Sequence, residues 1–306
     1  MRIVSLLPSI TELVCALGHR ESLVGVTHEC DYPPGVESLP FLTRNTIHAG
    51  ASSAEIDELV SAQTQGLYEL DENLLGQLAP DLILTQEQCD VCAVNEETVR
   101  ECASRLPGGP AVESFNPTDL DSVFAMFRRV GDLLDERAEA ESLIAGFKLT
   151  AGEVAKRTKG RQGPPPRVLL IEWLDPPFSG GHWNPELIEK AGGEEVLGAT
   201  GIPSRRLTWK QVAASRPDVV IVAPCGFTLG RAERDLRELD ARPEWRALPA
   251  VRNGRVVLAD GSAYFSRPGP RLETSLRIAA AAIDPERCSD LAPPPGQGWL
   301  PRPARD

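Results

Sequence analysis

No stretch of this chain approaches the roughly 18 consecutive apolar residues of a membrane-spanning helix, which excludes insertion by that route. Positive charge is in short supply. With 32 Lys and Arg against 44 Asp and Glu, the net charge is −12. That balance opposes the attraction that nonspecific nucleic-acid or anionic-membrane binding requires, so neither partner is expected. Histidines number only 4 and show no metalloprotease spacing. There is no nucleophile motif, no Walker loop and no Rossmann glycine fingerprint, and Gly180-Gly181 and Gly192-Gly193 are too sparse to cradle phosphates. A signal-peptide core is also missing near Met1, because Pro8 interrupts the short run Ile3 to Leu7. The 7 cysteines are an odd count, which favours free or metal-bound thiols in a reducing cytoplasm over a disulfide framework.

What is present is a repeat. Pro80-Asp81-Leu82-Ile83-Leu84-Thr85 and Pro217-Asp218-Val219-Val220-Ile221-Val222 are each a short apolar run entered through Pro-Asp and left through a polar turn. That pattern predicts a fully buried strand of a parallel sheet. Around the repeats short strands alternate with helices. Arg2–Leu6 reads as a strand, followed by a helix opened by the capping box Ser9-Ile10-Thr11-Glu12 and ended near Gly18. Leu23–Val26 and Ala111–Ser114 are further strands. Two helices follow, over Asp119–Gly131 and about Asp135–Thr158, the second carrying the apolar stripe Ala140, Leu143, Ile144, Phe147, Ala151 and Val154. Lys159 to Pro166 is rich in Gly and Pro and marks a boundary. Beyond it the alternation restarts, with strands at Arg167–Ile171, Asp218–Val222 and Arg255–Leu258.

The predicted organisation is an α/β lobe over residues 1–134, a backbone helix over 135–160, a second α/β lobe over 161–284, and a tail over 285–306 whose six prolines predict disorder. The fold class is therefore two Rossmann-like α/β lobes joined by one long helix.

In open α/β sheets ligands sit beyond the carboxyl ends of the strands, so the loops there carry the candidate site. They hold His28 and Cys30, then Gln86, Cys89 and Cys92, then Cys225. Cys89-Asp90-Val91-Cys92 has the spacing that lets two thiolates share a soft metal or form a redox disulfide, and His28 and Cys30 would add an imidazole and a third sulfur. This set suits zinc, an iron–sulfur cluster or a thiolate ligand to a chelated metal. The plainer reading stands beside it, that a cysteine is a small buried hydrophobe; Cys15, Cys102 and Cys288 are read so. Aromatic residues make up 5% of the chain, and Trp173, Trp183, Tyr264 and Phe265 are candidate faces for a flat macrocycle. Trp209 reads as packing. Arg205, Arg206 and Arg267 either meet carboxylate or phosphate groups or are ordinary solvated charges.

Two such lobes, with Ile3-Val4-Ser5-Leu6-Leu7-Pro8-Ser9-Ile10-Thr11-Glu12 at the start and Ser266-Arg267-Pro268-Gly269-Pro270-Arg271 before the last helix, resemble the substrate-binding proteins that deliver cobalamin, haem and iron-siderophores to ABC importers. The resemblance spans about residues 1–284. It implies a hinge-poor protein that holds a corrinoid or related metal chelate in a cleft between its lobes and catalyses nothing, with Ser9 and Gln86 among the ligand-binding positions. A thiol or metal enzyme on the same scaffold is the alternative expectation, and an importer subunit a third. Such importers dock through one glutamate per lobe on permease arginines. The comparable positions here are Asn73, beside Glu72, and Lys210, and a lysine repels an arginine, so permease docking is not expected.

Overall fold

The computed structural model describes residues 1–45, 51–62, 68–86 and 95–304. The chain forms two compact units, the first from residues 1–51, 55–117 and 124–142, the second from 52–54, 118–123 and 143–306.

In the first unit β1 (Ile3–Ser5), β2 (Leu23–Val26), β5 (Leu82–Gln86) and β6 (Ala111–Phe115) make a four-stranded sheet in the order β2-β1-β5-β6, all parallel. A two-stranded antiparallel ribbon, β3 (Thr43–Asn45) and β4 (Tyr68–Leu70), lies apart from it. In the second unit β7 (Arg167–Trp173), β10 (Val219–Val222) and β11 (Val256–Ala259) are parallel neighbours. Short β8 (Phe178–Ser179) and β9 (Glu194–Glu195) pair with β7, and β12 (Trp299–Arg302) closes the other edge antiparallel to β11. The buried faces are where the sequence placed them. Val219 to Val222 are all buried, as are Val168 to Ile171. The 22-residue helix Arg137–Thr158 starts in the first unit and continues into the second.

The Pro-Asp repeat has a structural cause. In each unit a seven-residue helix (Glu72–Leu78, Trp209–Ser215) ends on a left-handed residue, Ala79 or Arg216, and Pro-Asp follows. Asp81 Oδ2 then accepts the Arg2 backbone N–H at 2.7 Å, and Asp218 Oδ2 that of Arg167 at 2.9 Å. The same arginines reach back to the helix ends: Arg2 Nε donates to Leu78 O at 2.8 Å and Arg167 Nη2 to Ser215 O at 2.9 Å. One Arg–Asp clamp per unit thus sets the start of the central strand pair and satisfies a helix-terminal carbonyl. Asp218→Ala is expected to cost about 1 kcal/mol in the second unit, and Asp81→Ala a similar amount in the first. Urea titration of each variant beside wild type measures this, and an unchanged midpoint would remove the clamp from the account.

Two expectations about elements change. The first helix, Pro8–Ala16, starts at Pro8 and its N-cap Leu7 makes no side-chain cap; the preset φ of proline at the first turn replaces the capping box, and Ser9 is buried. A capping box does occur, at Thr208 and Gln211. The tail is ordered over its described residues: Pro285–Cys288 is helical and β12 completes a sheet. Its prolines fit because Pro301 sits on an edge strand, where a missing N–H breaks no ladder, while Arg302 pairs with Asp240 at 3.0 and 2.8 Å.

Candidate functional site

The first unit carries an open cavity of about 570 Å³ lined by His28, Phe41, Leu42, Thr43, Arg44 and Asp71. It lies at the carboxyl end of β2, where small-molecule sites of this size are common in α/β folds. The Thr43 hydroxyl accepts the His28 backbone N–H at 3.2 Å and lies 2.7 Å from Nδ1. His28 Nε2 lies 3.3 Å from Glu29 Oε1. The Tyr68 ring packs tilted on the imidazole at 4.8 Å, and its hydroxyl reaches Glu29 at 3.5 Å. His28 is therefore a polar wall of the cavity, and among the described residues it belongs to no group of three or more His, Cys, Asp or Glu side chains placed to hold a metal. Phe41 is 42% exposed at the rim, as is Tyr32 further along the loop.

Cys30 does not join this site. Its side chain packs inward with Val26 and Val36, and its sulfur sits 3.1 Å from the Thr11 hydroxyl. Cys225 is exposed in the turn after β10, its N–H donating to Glu172 O at 3.0 Å. Cys89 and Cys92 fall outside the described residues. Among the described residues no group of three or more His, Cys, Asp or Glu side chains is placed to hold a metal, so the zinc or iron–sulfur expectation gains nothing here. Gln86 is half-buried at the end of β5.

In the second unit the loops after β7, β10 and β11 carry the aromatic candidates. Trp173 ends β7, half-buried, edge-on to Phe227 at 5.0 Å, with its indole N–H on Ser53 O at 3.1 Å. The Arg231 guanidinium covers the Phe227 ring at 3.7 Å. Tyr264 is half-buried with Arg271 over its ring at 5.8 Å, and Arg267 is mostly buried. Trp183 and Phe265 are both buried, and Trp183 Nε1 donates to Phe265 O at 3.0 Å. Trp183 stands at the N-cap position of the helix Asn184–Lys190 without a side-chain cap, and Phe265 has φ +67°. Arg205 is exposed and ties Leu197 O at 2.8 Å, while Arg206 lies over Phe178 at 5.6 Å.

Two carboxylates escaped the sequence reading. Glu172 accepts from Gly181 N at 3.1 Å, from Asn184 Nδ2 at 2.6 Å and from the Ser204 hydroxyl, and burial pushes its pKa up. Its only sequence signal is a lone charge at the end of an apolar strand. Glu195 accepts from Leu170, Leu197 and Gly198 backbone N–H groups at 3.0 to 3.1 Å, and burial raises it to about 7. Because the folded state holds this proton more tightly than the unfolded chain, its contribution is full below about pH 4.5 and is lost as pH rises through 7. Denaturant stability is expected to fall by on the order of 2 kcal/mol between pH 5 and 8 from this group, and Glu195→Gln to flatten that part of the slope. A parallel slope in the variant would refute the assignment.

With this geometry in place, comparison with known proteins decides the family. The profile described as periplasmic binding protein matches residues 3–263. The chain is a member of the periplasmic binding protein family. Among curated relatives, a vitamin B12-binding protein of Pectobacterium atrosepticum is 24% identical over 297 residues, covering 95% of this chain and 88% of its own length. One from Yersinia pestis is 26% identical over 224 residues, covering 72% and 69%. Among solved structures, a periplasmic heme binding protein from Pseudomonas aeruginosa superposes with a TM-score of 0.73 at 21% identity, covering 100% and 99%. The periplasmic vitamin B12 binding protein BtuF of Vibrio cholerae gives 0.65 at 20%, covering 92% and 96%. At such identities these structures establish the shared two-lobed fold.

Proposed function

We propose that this protein binds a corrinoid of the cobalamin type, or a related metal chelate such as heme, and releases it unchanged. The observation that carries this reading is the alignment with a vitamin B12-binding protein along 95% of the chain. The second unit supports it: the half-buried aromatic rings Trp173, at the end of β7, and Tyr264, in the loop after β11, suit a flat macrocycle. Arg267, in the same unit, would supply a polar contact, and the metal would arrive as part of the ligand. Absorbance titration of the purified protein with cyanocobalamin and with hemin tests this. One-to-one saturation at micromolar or lower concentration by either is expected, and no saturation by both would overturn it.

The partner follows from exposed charge. Asn73 and Lys210 lie exposed on the two short helices that precede β5 and β10, where an importer of this family type would present carboxylates to arginines. We therefore propose no stable complex with a cobalamin-type permease. Retention on such a permease in detergent or nanodiscs would reverse this. The cytoplasmic location expected from the cysteines belongs to the same proposal; recovery in an osmotic-shock fraction would overturn it.

A further inference from the structure

The C-terminal segment does more than cover a sheet edge. The family profile ends at residue 263, yet the loop that follows β11 is built against chain from beyond residue 290. Asp260 donates its backbone N–H to Gly298 O at 2.8 Å, immediately before the β12 ladder begins at Trp299. From that fixed point the Asp260 side chain organises the loop: Oδ1 accepts the Ser262 and Ala263 N–H groups at 3.0 Å each, and Oδ2 accepts Leu229 N–H at 3.1 Å. The Tyr264 N–H returns to Asp260 O at 2.9 Å. The Tyr264 ring then lies directly on Gly298, where a Cβ would come within 2.4 Å of Cε2 and 3.1 Å of the hydroxyl oxygen. Gly298 has φ +83°, so it supplies both the turn into β12 and the space for the ring. The segment itself is pinned at both ends, by the Arg302–Asp240 pair and by Trp299 Nε1 on Pro293 O at 2.7 Å.

We propose that Gly298 is a positioning residue of the ligand site: the C-terminal segment sets the resting place of the Tyr264 ring, and through it the affinity for the chelate. This rests on the function proposed above, in which Tyr264 meets the ligand. The natural probe is Gly298→Ala in the full chain, read in wild-type and Tyr264→Ala backgrounds. Two readouts separate the claims. With the 3 tyrosines labelled with 13C at the ε carbons, the Tyr264 ring signal, assigned by its loss in Tyr264→Ala, is expected to shift in Gly298→Ala while those of Tyr32 and Tyr68 stay. In the chelate titration Gly298→Ala is expected to weaken binding about tenfold in the wild-type background and by less than about twofold when Tyr264 is already alanine. An Arg302→Gln variant, which loosens the strand without touching the ring, should lower thermal stability and leave the Tyr264 signal in place. An unmoved Tyr264 signal, or an equal affinity loss in both backgrounds, overturns the proposal. A moved signal in a protein that binds neither chelate leaves the ring placement standing and defeats the functional reading instead.

Discussion

Trp183→Ala is expected to melt the second unit rather than to weaken ligand binding selectively. The indole is 4% exposed, packs against His182 with ring centroids 5.7 Å apart, and donates to the Phe265 carbonyl, which also takes Asn184 Nδ2 at 3.2 Å. Removing it empties a large buried volume and takes one of two donors from a buried carbonyl in a network that includes Glu172. Truncating a buried tryptophan costs about 3–5 kcal/mol, which lowers the melting temperature of a unit this size by about 10 °C or more. Trp173→Ala is the contrast, since Trp173 is half-buried at a strand end; a loss of chelate affinity with a smaller change in melting is expected there. Calorimetry and chelate titration of both variants decide the matter. Should Trp183→Ala keep its melting temperature and lose the ligand, the tryptophan belongs to the site after all.

This contrast shows where sequence stops being informative. The strands were legible because a run such as Val219 to Val222, buried on both faces, needs no outside reference to be read, and because the Pro-Asp clamp uses groups close to the strand start. The family was legible for the same reason, being written in the order of elements. Side-chain direction at strand ends was not. Cys30 follows β2 as Cys225 follows β10, yet one thiol packs beside Val26 and Val36 and the other is exposed, since the choice depends on which apolar neighbours the loop meets. The sequence neighbours of His28 did not reveal its hydrogen-bond partner, Thr43, 15 residues away. The tail failed for another reason: its prolines argue against packing only where a backbone N–H is required, and Pro301 occupies an edge.

Gly261→Ala is expected to be among the most damaging single-methyl additions in the chain. A Cβ at position 261 would stand 1.8 Å from the Pro224 carbonyl oxygen and 2.5 Å from its carbon, backbone atoms that cannot swing aside as a side chain would. The close approach exists because the loops after β10 and β11 are sewn together: Gly261 N–H donates to Phe227 O at 2.9 Å, Ser262 N–H to the same oxygen at 3.3 Å, and the Pro224 carbonyl accepts Phe227 N–H at 3.0 Å. Admitting one methyl must push the two loops apart and break at least one of these bonds. Overpacking of a rigid site costs about 1–3 kcal/mol, and a lost buried backbone hydrogen bond adds about 1–3 kcal/mol. The consequence reaches the candidate site, because Phe227 supports both Trp173 and the Arg231 guanidinium, and the Asp260 loop carries Tyr264. Gly261→Ala should therefore lower both melting temperature and chelate affinity. Gly230→Ala, on the helix that starts from the same turn and with open space at its Cβ, should leave both nearly unchanged. Calorimetry and titration on the two glycine variants measure the difference. If Gly261→Ala melts and binds like wild type, the two loops are not locked together and the ligand side of this unit is more yielding than its hydrogen bonds imply.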